Sequence, residues 1–210
     1  MRGQILDDGQ LQELVDGLDA NNINNYSHII NGYIGSKSFL TRLSSVVSHL
    51  KSINPGLVYV CDPVMGDTGP GLYVPPDLLP VYKSQILPLA DVCLPNQFEA
   101  ELLTDRKIKD ESDAREVMDM IHAQGPNTVI LSSTELGHNE DYLVGMASRV
   151  DRQTGNKTVL KVSYNTPYID HNTSHSRCIS PSSLQHLLVP ETCSQLCVQR
   201  GSPKLMEISS

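Results

Sequence analysis

Asp62 and Asp67 lie five residues apart in Val60-Cys61-Asp62-Pro63-Val64-Met65-Gly66-Asp67, directly after an apolar run that begins at Leu57. Such a run reads as a buried parallel strand, and its C-terminal end is where open α/β sheets bind ligands. Two carboxylates delivered there suit a hard cation such as Mg²⁺, whose shell substrate phosphates complete. The competing reading is an Asp that caps a turn or a neighbouring helix. A second edge of the same kind follows at Ala90-Asp91-Val92-Cys93-Leu94-Pro95-Asn96-Gln97-Phe98-Glu99. There Asn96 and Glu99 have the spacing of a capping box, a structural arrangement. The same spacing also projects an amide and a carboxylate from a helix N-terminus, where anions and hydrated metal ions gather. Both readings can hold. Two parallel edges opening on one crevice make a magnesium-nucleotide site the expected chemistry.

Weaker signals accompany these. Ser132-Ser133-Thr134 follow the β-branched run Thr128-Val129-Ile130-Leu131, and hydroxyls at an interior strand end can hold nucleotide phosphates. Gly66, Gly69 and Gly71 read as a flexible loop that matches neither phosphate-binding glycine motif and more plausibly covers a site than cradles phosphate. Tyr33 and Tyr73 set phenols beside glycines, suited to stacking on a planar ligand or simply half-buried. His171, His175, Cys178, Cys193 and Cys197 fit no compact zinc knuckle.

Placing these groups requires alternating strands and helices. Leu11, Leu14, Val15 and Leu18 mark one helical face, and 39–50 mark another that closes at Asn54-Pro55-Gly56. Strands are expected at 26–31, 57–61, 91–94 and 128–131, with helices near 97–104 and 111–124, the latter stopped by Gly125-Pro126. Segments 142–147 and 158–162 read as an antiparallel pair around 154–156. This order predicts an α/β chain with a mainly parallel sheet covered on both faces. Beyond about residue 162 the composition turns to Ser, Pro, Thr, His and Asn; only 184–189 looks helical there. The expected division is an ordered unit, 1–162, and an irregular or disordered tail, 163–210.

Composition bounds the rest. The 210 residues carry a formal charge of −8, with pI near 5.3, which disfavours nucleic acid. No apolar stretch reaches the ~20 residues of a membrane span. Five irregularly spaced cysteines fit a reduced, cytoplasmic protein.

Several of these segments together resemble the animal pyridoxal kinase family: Gly3-Gln4-Ile5-Leu6, Asn31-Gly32-Tyr33, Lys37-Ser38-Phe39-Leu40, Leu57 to Val64, Tyr73-Val74-Pro75 and Pro95 to Leu103. The resemblance runs from residue 3 to about 162. It implies a ribokinase-like three-layer α/β/α fold, incomplete here, usually in a homodimer. It implies transfer of the ATP γ-phosphoryl to the 5′-hydroxymethyl of pyridoxal, pyridoxine or pyridoxamine, with a divalent ion (magnesium or zinc) and a monovalent cation. By position it implies nucleotide contacts from Asp62, Asp67, Asn96, Ser132 and Ser133, metal contacts from Asp67 and Glu99, and substrate contacts from Tyr33 and Tyr73. Four departures stand beside it, one of them a shortened loop from Asp67 to Tyr73. The chain starts past the family's first strand. Leu94 replaces the threonine common beside the monovalent cation. The Gly-Thr-Gly-Asp turn that supplies the anion hole and catalytic base has no counterpart, so no catalytic residue is assigned and impaired turnover is expected.

Overall fold

The computed structural model describes residues 6–136, 142–165 and 205–208. Helix α1, Asp8–Ala20, starts at a capping box in which Asp7 accepts from the Gln10 amide and Gln10 returns a bond to the Asp7 amide. Strand β1, His28–Asn31, leads to helix α2, Lys37–Ile53. Its residues Phe39, Leu40, Leu43, Val46, Val47 and Leu50 are all buried along one face. At ~1.5–3 kcal/mol for each fully buried side chain of this size, that face dominates the helix's contribution to folding. Strand β2, Val58–Cys61, is followed by the hairpin β3, Gly66–Asp67, and β4, Gly71–Leu72.

A run of helical turns comes next: a 3₁₀ turn at Pro76–Leu78, the short α3, Leu79–Val81, a π-helical turn at Tyr82–Ile86 and a second 3₁₀ turn at Leu87–Leu89. Then come β5, Val92–Cys93, α4, Gln97–Thr104, and α5, Glu111–Gln124. Strands β6, Thr128–Thr134, β7, Tyr142–Val150, and β8, Lys157–Asn165, follow, and β9, Leu205–Ile208, completes the described elements.

The seven-stranded sheet has the order β8-β7-β6-β5-β2-β1-β9. The pairs β6/β5, β5/β2, β2/β1 and β1/β9 are parallel, whereas β7 runs antiparallel to β6 and β8. The mixed α/β architecture with a mainly parallel sheet is therefore as the alternation of elements requires. Every buried apolar residue of the helices belongs to one core, on the sheet face carrying Ile29, Tyr59, Cys61, Cys93, Val129 and Leu131. The opposite face carries a separate cluster of Val60, Val92, Ile130 and Ala147, with Ile30, Val58 and Leu94 around it. No described helix contributes a buried apolar side chain to that second face, where a three-layer arrangement calls for another layer.

Four expectations need correction. Strand pairing continues past residue 162, because β8 runs to Asn165 along its whole register with β7. Part of the tail is regular: Leu205–Ile208 pairs with His28–Asn31 in parallel, an order its own four residues could not announce. The glycine-bracketed stretch after Asp62 is a hairpin, with Gly66 opposite Leu72 and Asp67 opposite Gly71. Ser132 and Ser133 lie within β6 rather than just past a strand ending at Leu131, since a register irregularity between Leu131 and Thr134 lets pairing with β7 continue. The helical reading of 184–189 and the histidines and cysteines of the tail lie outside the described residues.

Candidate functional site

Because β1, β2, β5 and β6 run in parallel, their C-terminal ends share one edge. The Asp62 amide donates to the Asn31 carbonyl, the Leu94 amide to the Cys61 carbonyl, and the Ser132 amide to the Pro95 carbonyl. That edge receives Asp62 from β2, Asn96 and Glu99 from the start of α4, and Ser132 from β6.

Glu99 sits at the centre and is 3% exposed. One oxygen, Oε1, accepts from the Met65 amide at 2.9 Å and more loosely from the Gly66 amide at 3.5 Å. The other, Oε2, accepts from the Asn96 amide at 3.0 Å. Asn96 completes the capping box by accepting from the Glu99 amide at 2.9 Å, and its Nδ2 donates to the Gly66 carbonyl at 2.8 Å. One helix N-terminus thus grips the hairpin through both the amide and the carbonyl of Gly66. The glycine is required: a Cβ there would meet the Gly71 carbonyl oxygen and Phe98 at 2.5 Å.

Burial pushes the Glu99 carboxyl up to about 7; the bonds from Asn96, Met65 and Gly66 oppose the shift, and the nearby Asp62 charge adds to it. Desolvation likewise raises Asp62 to about 6. Asp62 is half-buried, and among the described residues its carboxylate accepts no hydrogen bond. Two carboxylates that resist ionisation thus stand near one strand edge.

The donor set narrows which cation fits. Among the described residues no group of three or more His, Cys, Asp or Glu side chains is placed to hold a metal ion. Glu99 already spends both oxygens on backbone amides. A cation here would keep most of its water and take phosphate oxygens, the manner of Mg²⁺, rather than the closed nitrogen and sulfur shell zinc prefers. Burial raises the Cys61 thiol, with its neighbour Cys93 reinforcing the shift, so thiolate ligation there is disfavoured.

The other sequence candidates are placed less centrally. Asp67 stands in the hairpin, its Oδ1 accepting from the following Thr68 amide at 2.8 Å. Ser132 leans its hydroxyl toward the Pro95 carbonyl at 3.4 Å, and Ser133 is half-buried beside it in β6. Tyr33 is 38% and Tyr73 51% exposed, the first after β1 and the second tied by its amide to the Met65 carbonyl.

Sequence reasoning missed Asn31, which is fully buried. Its amide donates to the Asp62 carbonyl at 3.1 Å and to the Gly32 carbonyl at 3.3 Å, while the buried Tyr59 hydroxyl donates to its Oδ1 at 2.7 Å. Asn31 thereby fixes the backbone that carries Asp62. The available signal was an amide closing the apolar run Ile29-Ile30, which is costly to bury unless bonded.

Residues 29–167 match the family profile of phosphomethylpyrimidine kinase. The chain is 51% identical to the pyridoxal kinase of Bos taurus over 156 residues, covering 72% of this chain and 50% of that one. It is 47% identical to the pyridoxal kinase of Homo sapiens over 165 residues, 76% of this chain and 53% of the relative. Among solved structures, pyridoxal kinase from Leishmania donovani in complex with ADP and pyridoxamine superposes with a TM-score of 0.72 at 28% identity, covering 79% of this chain and 56% of that one. The Plasmodium falciparum PdxK with AMP-PNP and PL gives 0.68 at 25% identity, covering 77% and 59%. The chain spans about half the length of the curated relatives it matches. Among the described residues no helix is long and apolar enough to cross a membrane.

Proposed function

The chain belongs to the pyridoxal kinase family, and from that premise we propose that residues 1–162 carry the metal and nucleotide part of a kinase for pyridoxal, pyridoxine or pyridoxamine. The observation that carries this reading is the pair of reluctant carboxylates, Asp62 and Glu99, held at one sheet edge by Asn31 and Asn96. Asp62 and Glu99 would hold a hydrated Mg²⁺ ion there, which would supply neutralising charge for the carboxylates and for the phosphates of ATP. Phosphoryl transfer asks the protein mainly for positioning and charge neutralisation, so acids and donors with little covalent chemistry are what such a site needs. Asp67 and the Ser132 and Ser133 hydroxyls are assigned to the metal shell and the phosphates, and the exposed phenols of Tyr33 and Tyr73 to the flat pyridine ring.

No Gly-Thr-Gly-Asp occurs in the 210 residues. General-base and anion-stabilising contributions are each typically worth ~10²–10⁴-fold. This polypeptide is therefore expected to bind magnesium-ATP with turnover at background level. The same gap favours a second reading, a non-catalytic family member that pairs with a complete kinase subunit. Calorimetry with ATP, with and without magnesium, tests the site: heat that needs magnesium and vanishes in Asp62→Asn supports it, and indifference to magnesium sinks it. Robust pyridoxal phosphate formation from labelled ATP would overturn the assignment of background turnover. Co-purification with an intact kinase subunit would separate the second reading from the first.

A further inference from the structure

Strand β6 carries one residue too many for its partner. Between Leu131 and Thr134 it takes three steps where β7, from Met146 to Val144, takes two. The surplus falls at Ser132 and Ser133, and a bulge of this kind re-aims side chains while leaving part of the backbone outside the ladder. Groups beyond β7 must hold that stretch, and two do. The Pro95 carbonyl accepts from the Ser132 amide at 3.0 Å. The side-chain oxygen of Gln97 accepts from the Glu135 amide at 2.8 Å. Pro95 and Gln97 flank Asn96, the cap that bonds to Gly66 and to the Glu99 amide. Three successive residues thus tie the hydroxyl-bearing stretch of β6, the hairpin and the buried carboxylate into one frame.

Gln97 is 9% exposed, so its polar atoms must find partners inside the protein. Its Nε2 donates to the Ile108 carbonyl at 3.1 Å and to Glu101 Oε1 at 3.2 Å. An acceptor and two donors on one planar group are what a side-chain amide supplies, and a carboxylate or an ammonium does not. Bracing the loop between α4 and α5 at Ile108 accounts for the donated bonds. It does not account for the accepted one, which reaches across 38 residues to the end of the bulge. Building on the magnesium-nucleotide site described above, we propose that Gln97 is a positioning residue. Its bond to the Glu135 amide sets where the Ser132 and Ser133 hydroxyls stand relative to Asp62 and Glu99, and so how the nucleotide phosphates are met.

The test is calorimetry of magnesium-dependent ATP binding on the full chain. Gln97→Met, the pair Ser132→Ala with Ser133→Ala, and the triple variant are compared. Gln97→Met should weaken binding about tenfold in the parent but less than about twofold once both serines are gone, because misplaced and missing hydroxyls are the same loss. Equal losses in both backgrounds would overturn the proposal and leave Gln97 a general brace. Glu101→Ala removes bonds to Lys107 and to the Ile108 amide without touching Glu135, and should leave affinity within about twofold. A loss there as large as that of Gln97→Met would equally overturn it. If Gln97→Met does not fold, Glu135→Pro deletes the same amide donor at an exposed position and should reproduce the serine-dependent loss; unchanged affinity would overturn the proposal. A parent chain that ignores ATP brings down the nucleotide site and the role of Gln97 with it, whereas a binding parent with additive variants removes the role of Gln97 alone.

Discussion

Asn96 donates its side-chain amide to the carbonyl of Gly66 at 2.8 Å, across 30 residues of sequence. The residue that caps α4 therefore also fixes the hairpin beside the candidate cation site, and stability and binding are coupled through one glycine.

Gly66→Ala should break that coupling. Its Cβ would collide with the Gly71 carbonyl and the Phe98 ring, both at 2.5 Å, so the hairpin must move and release Asn96 and Glu99. A stability loss of about 1–3 kcal/mol in urea unfolding is expected, together with weakened magnesium-ATP binding. Gly17→Ala is the control: its Cβ meets nothing within 4 Å inside α1, and a gain of about 0.5–1 kcal/mol is expected. A Gly66→Ala protein as stable as the parent would remove the steric argument.

Buried acids give the metal-free protein an unusual pH slope. The folded state holds protons on Asp62 up to about 6 and on Glu99 up to about 7, above the ordinary 3.8 and 4.5. Between those limits the folded state binds more protons than the unfolded one, so this contribution falls as pH rises. Asp62→Asn should cancel the Asp62 part. Relative to the parent, stability should rise by about 1–2 kcal/mol at pH 8, screened because the residue is only half-buried, and change little at pH 4. Melting curves across that range check it, and an equal effect at both ends would refute the charge as cause. The same variant should lose magnesium-dependent nucleotide binding, a trade of function for stability.

Among the described residues the buried Tyr82 hydroxyl has no hydrogen-bond partner; it lies in the π-helical turn, near Cys61 of β2 and Cys93 of β5. An unsatisfied buried hydroxyl costs about 1–3 kcal/mol. Tyr82→Phe should accordingly stabilise the chain by about 1 kcal/mol while leaving nucleotide affinity unchanged. Destabilisation in chemical unfolding would show that the hydroxyl has a partner in solution.

What the sequence disclosed follows from how local each signal was. Helices α4 and α5 were legible because Asn96 with Glu99 marks the start of one and Gly125 with Pro126 the stop of the other. Gly66 was misread as part of a flexible loop because its order comes from Asn96 and Glu99, far along the chain. Strand β9 had no readable signal, since four residues gain their conformation only by pairing with β1. Leu14 fits the apolar stripe of α1 but is 57% exposed, periodicity alone being blind to which side of the stripe a neighbour covers. Asp62 was legible as a strand-end acid, whereas its support by Asn31 depended on two strands coming into register.

His122 ties α5 to the sheet through both of its ring nitrogens. Burial lowers its pKa from the ordinary 6.5. Nδ1–H donates to the Pro126 carbonyl at 2.8 Å, which leaves Nε2 to accept from the Ser148 hydroxyl at 3.0 Å. Arg152 closes the same helix end, donating to the His122 carbonyl at 3.0 Å and to the Gly125 carbonyl at 2.7 Å. Below pH 6.5 the unfolded histidine takes up a proton that the folded one resists, so this contribution is present above 6.5 and lost as pH falls. Its slope is opposite in sign to that of Asp62 and Glu99. Ser148→Ala should cost about 1 kcal/mol at pH 8, and a cycle with His122→Gln should reveal a coupling of about 0.5–1.5 kcal/mol between the two side chains. Additive losses in the cycle, measured by urea unfolding, would mean that the serine and histidine act independently and that the neutral-ring tie does not hold the helix end.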